Sequence, residues 1–444
     1  MLSRALADKI CRLLHAAGHE AWYVGGCVRD LLLGREPADF DVSTDATPAR
    51  VLELFPGSIS VGAQFGVILV VQEDAKVEVA TFRSDVGYSD GRHPDRVVYS
   101  KTPQEDVLRR DFTINGLLMN PRTGEVLDLV GGRADMQAKL IRAIGKPAHR
   151  FAEDKLRMVR AVRFAARLGY AIDPATFAAI QKLAPEVAVV SAERLRDELT
   201  RLLTDGASRR GFELLDQSGL LSALLPEVAK MKGVQQPPQF HPEGDVWIHT
   251  RMMLEMLAPG CSPTLAWGVL LHDVGKPPTF APPSGPDGRI RFDRHVEVGM
   301  RMAEVICRQF RFSNEEAEQI VSLVEHHLRF KDVPQMKAST LKRFLRLPRF
   351  EEHLELHRLD CLSSHGMLDN YDFVRRFLEE TPPEQVRPPR LITGDDLKEL
   401  GLVPGPQFRS LLRAVEDAQL EGRLTSRESA LEFVRARVGG STGG

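Results

Sequence analysis

The chain has 444 residues, 43% of them hydrophobic and 27% charged, with a formal net charge of −2, which suits a large enzyme of roughly two to four domains. Nowhere do about 18 apolar residues follow one another, which excludes a membrane-spanning helix. The five cysteines (Cys11, Cys27, Cys261, Cys307, Cys361) are scattered without CxxC spacing, which argues against a disulfide framework or a cysteine-based zinc site. No secretory signal opens the chain, so a cytoplasmic protein without a membrane partner is expected.

In chain order, residues 1–20 read as an amphipathic helix, and 21–145 mix short β-branched runs with helices, as an α+β unit does. Within this region WYVGGCVRDLLLGREPADFDVS (22–43) brings together a Gly-Gly turn, Arg-Asp and Asp-x-Asp. Asp39 and Asp41 are two apart in an extended segment, which predicts side chains on one face of one strand and a place for Mg²⁺. Gly25 and Gly26 let backbone approach a triphosphate, and Arg29 offers charge-assisted hydrogen bonds. Taken singly, a Gly-Gly pair is any tight turn and Asp-x-Asp any solvated loop. Further on, KVEVATFR predicts a strand with Val77, Val79 and Thr81 on one face and Glu78 on the other, a candidate third carboxylate. The polar stretch 84–100 predicts a mobile loop.

From Phe151 onward strands nearly vanish. Residues 151–230 show helical apolar spacing, as in Leu156, Val159 and Val162 or Leu195, Leu199 and Leu202. Residues 139–212 hold 15 Lys and Arg against 8 Asp and Glu, an expected footprint for a polynucleotide backbone. The proline-bearing stretch 232–244 predicts a boundary. The second half carries His249, His272-Asp273, His295, His326-His327 and Asp360, residue types that transition metals favour. Of His326 and His327 only one should face a common site, because neighbours on a helix point about 100° apart. Residues 276–289 predict a loop at the rim of that site, and GGSTGG a disordered end.

GGCVRDLLLG with DFDVSTDATP, LRRDFTINGLLMNPRTGEVLDLVGG and RFAEDKLRMVRAVRFAARLG resembles the class II tRNA nucleotidyltransferases and bacterial poly(A) polymerases over roughly residues 20–225. The resemblance implies a polymerase-β-like palm (small mixed sheet with helices) followed by an all-α neck and body. It implies Asp39 and Asp41 as Mg²⁺ ligands, with Glu78 as a possible further catalytic carboxylate. Gly25, Gly26, Arg29, Asp30, Arg109, Arg110, Asp111, Asp154, Arg157, Arg160 and Arg163 become candidate nucleotide contacts. Asp154 and Arg157 are expected at i and i+3 on one helix face, where an acceptor and a forked donor would select the incoming base without a nucleic-acid template. Arg194 and Arg196 fall on a further motif helix, with no ground for preferring either.

The order H…HD…H…H…D resembles the HD phosphohydrolases, an all-α fold. That resemblance implies His249, His272, Asp273 and Asp360 as ligands of a divalent transition metal, with His295 and His326 as accessory residues. The expected domains are 1–145 (palm), 146–232 (neck, base selection and RNA binding), 245–380 (HD) and 390–438 (a small helical module).

The function expected is addition of CCA to tRNA 3′ ends from CTP and ATP, with accessory HD phosphodiesterase or phosphatase activity. Alternatives are poly(A) addition, or CC-only or A-only addition. VGAQFGVILV (61–70) lacks the arginine-rich character of poly(A) relatives, and the 84–100 loop matches one used in terminal A addition. Rivals of another class are an HD phosphohydrolase with an RNA-binding palm and a non-catalytic RNA-binding protein.

Overall fold

The computed structural model describes residues 2–60, 66–86, 96–239, 241–284 and 288–439. The chain divides into two compact units, Met1–Ala229 with Ala258–Gly260, and Lys230–Leu257 with Cys261–Gly444. Palm and neck thus share one unit. The 232–244 stretch, expected to be a boundary, packs inside the second.

The strands of the first unit's head are β1 (Ala21–Val24), β2 (Asp41–Thr44), β3 (Val67–Gln72), β4 (Ala75–Thr81), β5 (Arg83–Val86), β6 (Arg96–Tyr99), β7 (Leu117–Met119) and β8 (Val126–Asp128). Six of them form a mixed sheet in the order β3-β4-β2-β1-β7-β8. Parallel pairing of β2 with β4 puts Asp41 opposite Glu78. Alternation in β4 buries Val77, Val79 and Thr81 and leaves Lys76 and Glu78 exposed, the period-2 pattern of a half-buried strand. Helix Leu2–Ala16 adds Leu6, Ile10 and Leu14 to the core beneath the sheet, with Tyr23, Val42, Ile68 and Val79.

The mobile loop expected at 84–100 is bounded by an antiparallel ribbon of β5 and β6. Residues 87–95 lie outside the described residues, as do 61–65 of VGAQFGVILV and 440–444 of the GGSTGG end.

The neck begins with helices Pro147–Glu153 and Leu156–Leu168 and continues through Pro174–Leu183, Ala192–Thr204 and Ser208–Gln217. Leu156–Leu168 buries Leu156, Val159, Val162 and Phe164, and its buried Arg163 meets Glu198 of Ala192–Thr204 at 2.6 Å. Arg160 approaches the other oxygen of Glu198 at 3.3 Å. One carboxylate therefore serves two guanidinium groups where little water reaches.

Among the described residues the second unit is helical apart from an isolated bridge between Gln235 and Asp245 and one ribbon, Phe280–Ser284 against Arg289–Phe292, where the sequence predicts a loop. At its centre, helix Pro263–Leu271 is buried from Thr264 to Leu271, as a helix apolar on all sides must be. Residues 391–439 form a module with a core of Ile392, Leu397, Val415 and Val434. Ion pairs from Arg343 and Arg346 to Glu416 and from Arg343 to Asp417 hold it against helix Ala338–Phe344. No helix among the described residues is long and apolar enough to cross a membrane.

Replacing Glu198 by Ala leaves the buried Arg163 guanidinium with only the more distant Asp205 carboxylate at 3.7 Å, while Arg160 keeps Asp111. The expected loss is about 3–5 kcal/mol, read as a lower denaturant midpoint, with E198Q intermediate.

Candidate functional site

In the head, Gly25 (φ +77°) turns the chain from β1 into helix Gly26–Leu32. A Cβ there would stand 3.2 Å from a guanidinium nitrogen of Arg110, so glycine supplies both the dihedral angle and the clearance. Asp39 lies in the segment just before β2, not in the strand, while buried Phe40 anchors the segment edge-on against Tyr23 at 5.1 Å. Asp39 stays exposed and Asp41 half-buried. Burial pushes the Asp41 carboxyl up to about 6, Glu78 and Asp39 add to this, and Arg110 opposes it. Three carboxylates thus gather with too little positive charge near them. Such a hard-oxygen donor set suits Mg²⁺.

Behind them runs a chain of buried charge. Asp106, fully buried and absent from the sequence expectations, pairs with Arg109 at 2.6 Å and Arg110 at 3.1 Å. Arg110 also donates to Ser43 at 3.4 Å, which turns it toward β2. Arg29, expected to grip phosphate, is only 3% exposed; it donates to Asp30 and Asn115 at 2.8 Å and lies over the Phe164 ring. The structure therefore makes it a buried brace and not a free cation. Asp111 accepts from Asn115 at 3.1 Å and from Arg160 at 2.8 Å. Burial pushes its carboxyl up, but Arg160 and Asn115 outweigh this and hold it at about 2. Arg160 and Arg163 are likewise committed to protein partners.

The expected base-reading pair sits differently from the sequence expectation. Asp154 has extended backbone (φ −151°, ψ 107°) and ends helix Pro147–Glu153, whereas Arg157 belongs to Leu156–Leu168. The two do not share a helix face, because the chain breaks between them and Asp154 caps the new helix through Leu156 N at 3.1 Å. Arg194 clasps both oxygens of Asp154 at 2.6 and 3.2 Å. Arg157 donates to Glu153 at 2.6 Å and to the Arg109 carbonyl at 3.0 Å, while Arg196 pairs with Asp197. Geometry thus singles out Arg194. Of the expected basic footprint, Arg142, Arg150, Lys155, Arg157, Arg160, Arg163, Arg194 and Arg196 are engaged in ion pairs, and Lys139, Lys146, Arg167, Lys182, Arg201 and Arg210 stay exposed.

In the second unit, His249, His272 and Asp360 offer ligand atoms within 4.8 Å of one another, and so do Asp273, His295 and His327. His272, His295 and His327 each turn Nδ1 to the backbone carbonyl three residues back (Val269, Phe292, Val324) at 2.7–2.8 Å. Their Nε2 atoms, His249 Nε2 and Asp273 Oδ1 are buried without a hydrogen bond of good geometry, although His249 Nε2 lies 3.1 Å from Asp360 and His272 Nε2 3.2 Å from Asp273. Buried, poorly satisfied donor atoms converging in this way suit a metal ion, since each would otherwise stay desolvated.

Burial pushes His327 down to about 4 and also lowers His295, which keeps both imidazoles neutral, the form that binds metal. Burial pushes Asp273 up, yet His272 and Lys276 hold it well below the usual carboxylate range. Without a metal, His249 is pushed up to about 9 by Asp360 and Glu243 against the effect of burial, so the carboxylates around it favour a cation, a place that a metal ion would take by displacing the Nε2 proton.

His326, named as accessory from the sequence, gives way to His327. The His326 ring packs beside His353 and Phe344, since one residue's rotation at the helix end turns it away from the cluster. Gly275 is needed at the centre, because a Cβ there would lie 2.1 Å from the His295 carbonyl oxygen. A cavity of about 270 Å³ opens on His327 and Asp360, with Lys331, His357 and Asn370 in its wall. Sequence reading missed Glu243 and His241, which have no motif of their own and join the centre through the 232–244 stretch.

A poly(A) polymerase head domain model matches residues 21–142, a model for a probable RNA-binding site of polymerase A matches 169–232, and an HD domain model matches 245–361. A CCA-adding enzyme of Geobacillus kaustophilus is 41% identical over 231 residues, 52% of this chain and 57% of that protein, so the chain spans little more than half of this relative. A CCA-adding enzyme of Levilactobacillus brevis is 30% identical over 427 residues, 96% of each chain. The crystal structure of Bacillus stearothermophilus CCA-adding enzyme in complex with CTP is similar over 98% of both chains, with TM-score 0.75 and 25% identity.

Because the Asp41 carboxyl is raised in the folded state, its ionised form destabilises the metal-free fold above about pH 6, and the penalty fades as pH falls toward the unfolded value. In EDTA, D41N should therefore be more stable than the parent at pH 8 by about 1–3 kcal/mol, with a smaller gain at pH 5. Added Mg²⁺ should raise the melting temperature of the parent more than that of D41N.

Proposed function

Because the chain belongs to the family of CCA-adding enzymes, we propose that it is a template-independent tRNA nucleotidyltransferase, adding CMP and AMP from CTP and ATP to tRNA 3′ ends. The observation that carries this reading is the gathering of Asp39, Asp41 and Glu78 at the β2–β4 register, where burial and mutual repulsion leave Asp41 in need of a cation. Mg²⁺, when held there, would stabilise charge developing on the α-phosphate as the 3′-hydroxyl attacks in line. Asp39 and Asp41 would be its ligands, and Glu78 the carboxylate best placed to accept a proton nearby. The Gly25–Gly26 backbone and Arg110 face the same end of β2, where they would bind the triphosphate. Arg29 would hold Asp30 and Asn115 in position.

Base choice would fall to Asp154, oriented by the Arg194 clasp, together with Arg157 braced by Glu153. A rigid acceptor and donor can address a base edge as a template would. The exposed cations of the neck would take the RNA backbone.

For the second unit, the proposal is hydrolysis of small phosphoesters at the HD centre. His249, His272, Asp273 and Asp360, with His295 and His327, would hold one or two transition-metal ions, which supply Lewis acidity. Lys331 at the cavity wall would meet the substrate phosphate.

Labelled CTP and ATP supplied with tRNAs ending before CCA, after C, after CC, and with oligo(A), should give ordered addition that stops at CCA. Long A tracts on oligo(A) would instead identify a poly(A) polymerase. D41A should lose more than about 1000-fold in incorporation with tRNA affinity nearly unchanged, and D154A should lose discrimination between CTP and ATP more than total rate. Separately, Mn²⁺- or Ni²⁺-dependent hydrolysis of bis-p-nitrophenyl phosphate should vanish in D273A while CCA addition persists. Equal hydrolysis by D273A and the parent would remove the HD proposal.

A further inference from the structure

Within the second unit, two buried side chains that precede helix Val246–Glu255 reach the HD centre. The Glu243 side chain is 5% exposed, and its Oε1 lies 2.8 Å from His249 Nδ1 and 2.8 Å from His241 Nδ1. Gln236, 1% exposed, accepts a 2.6 Å hydrogen bond from Lys276, whose ammonium also lies 2.7 Å from Asp273. The ligand atoms that His241, Glu243 and His249 turn toward one another are thus already joined at hydrogen-bond distance. This trio is a support for the centre and not another ion site.

We infer that Glu243 is a positioning residue for the HD metal centre, acting through His249. By accepting from Nδ1–H it fixes the tautomer whose Nε2 lone pair points to His272 and Asp360, and it strengthens that nitrogen as a donor. The other three imidazoles of the centre rest on backbone carbonyls, which are neutral. His249 alone among these four rests on a carboxylate, with Ser363 Oγ as a second neighbour at 3.3 Å. Gln236 performs the corresponding service for Asp273 by holding Lys276. Gln236 and Glu243 are consequently part of the HD centre, and this inference rests on reading that cluster as a metal site.

The test uses the metal-free full chain titrated with Co²⁺, following heat and the visible absorption of the bound ion. E243A should bind Co²⁺ about 10–100-fold more weakly with an altered spectrum. E243Q, whose amide oxygen still accepts from Nδ1–H, should lose less than about tenfold. Circular dichroism checks that each variant is folded. Equal affinity and spectrum in the parent and E243A overturn the positioning role; if E243A fails to fold, the similarly sized E243M, which has no oxygen acceptor, overturns it by being indistinguishable from the parent. A parent chain that binds no Co²⁺ overturns the metal reading itself, and the inference falls with it.

Discussion

Glu198 between Arg160 and Arg163 is the interaction on which the first unit depends. Ionised groups this poorly hydrated persist only when each finds a partner, and partnership here runs from Arg163 through Glu198 and Arg160 to Asp111, then through Asn115 to Arg29 and Asp30. The network begins in the neck helices and ends beside the Gly25 turn. It couples the helix that starts after Asp154 to helix Gly26–Leu32, which follows the Gly25 turn. Phe164, with the Arg29, Arg160 and Arg163 guanidinium groups over its ring at 4.5–5.3 Å, adds an apolar plate that orients them.

The two candidate centres solve the problem of gathered charge in opposite ways. In the head, acidic groups converge with too little compensation, and the cost appears as an elevated Asp41. Oxygen ligands near solvent match a hard, partly hydrated cation that is shared with a phosphate substrate. In the second unit, neutral imidazoles are locked by their far nitrogens, and their near nitrogens stay unsatisfied in a desolvated pocket. Nitrogen-rich and largely buried, that donor set suits a transition metal better than a hard cation. Local rigidity follows the same division: helix Pro263–Leu271, buried on all sides, delivers His272 and Asp273 from its end, whereas Asp39 rides on coil pinned by Phe40.

Much of this was legible in the chain because local patterns bind it. Alternation in AKVEVAT specifies which side Glu78 takes, and Asp-x-Asp places Phe40 inward between two outward acids. HDVGK fixes adjacent ligands at a helix end, with a glycine that no other residue can replace beside the His295 carbonyl. These features depend on neighbours a few residues apart, where backbone periodicity decides.

What sequence spacing could not supply was pairing across distance and the point at which a helix breaks. Asp154 and Arg157 read as i and i+3, yet the helix ends between them and a residue 40 positions on, Arg194, takes the carboxylate. His326 and His327 differ only by helix rotation, which packing against Phe344 and His353 settles. Asp106, Glu198 and Glu243 look like ordinary surface acids until the fold buries them beside cations and imidazoles. The sequence by itself determined most of the elements, the spacing of the candidate carboxylates and of the His272-Asp273 pair, and the glycine turns, all set by local periodicity. Only the tertiary structure decided which charges neutralise one another, because that depends on burial and on contacts between distant segments.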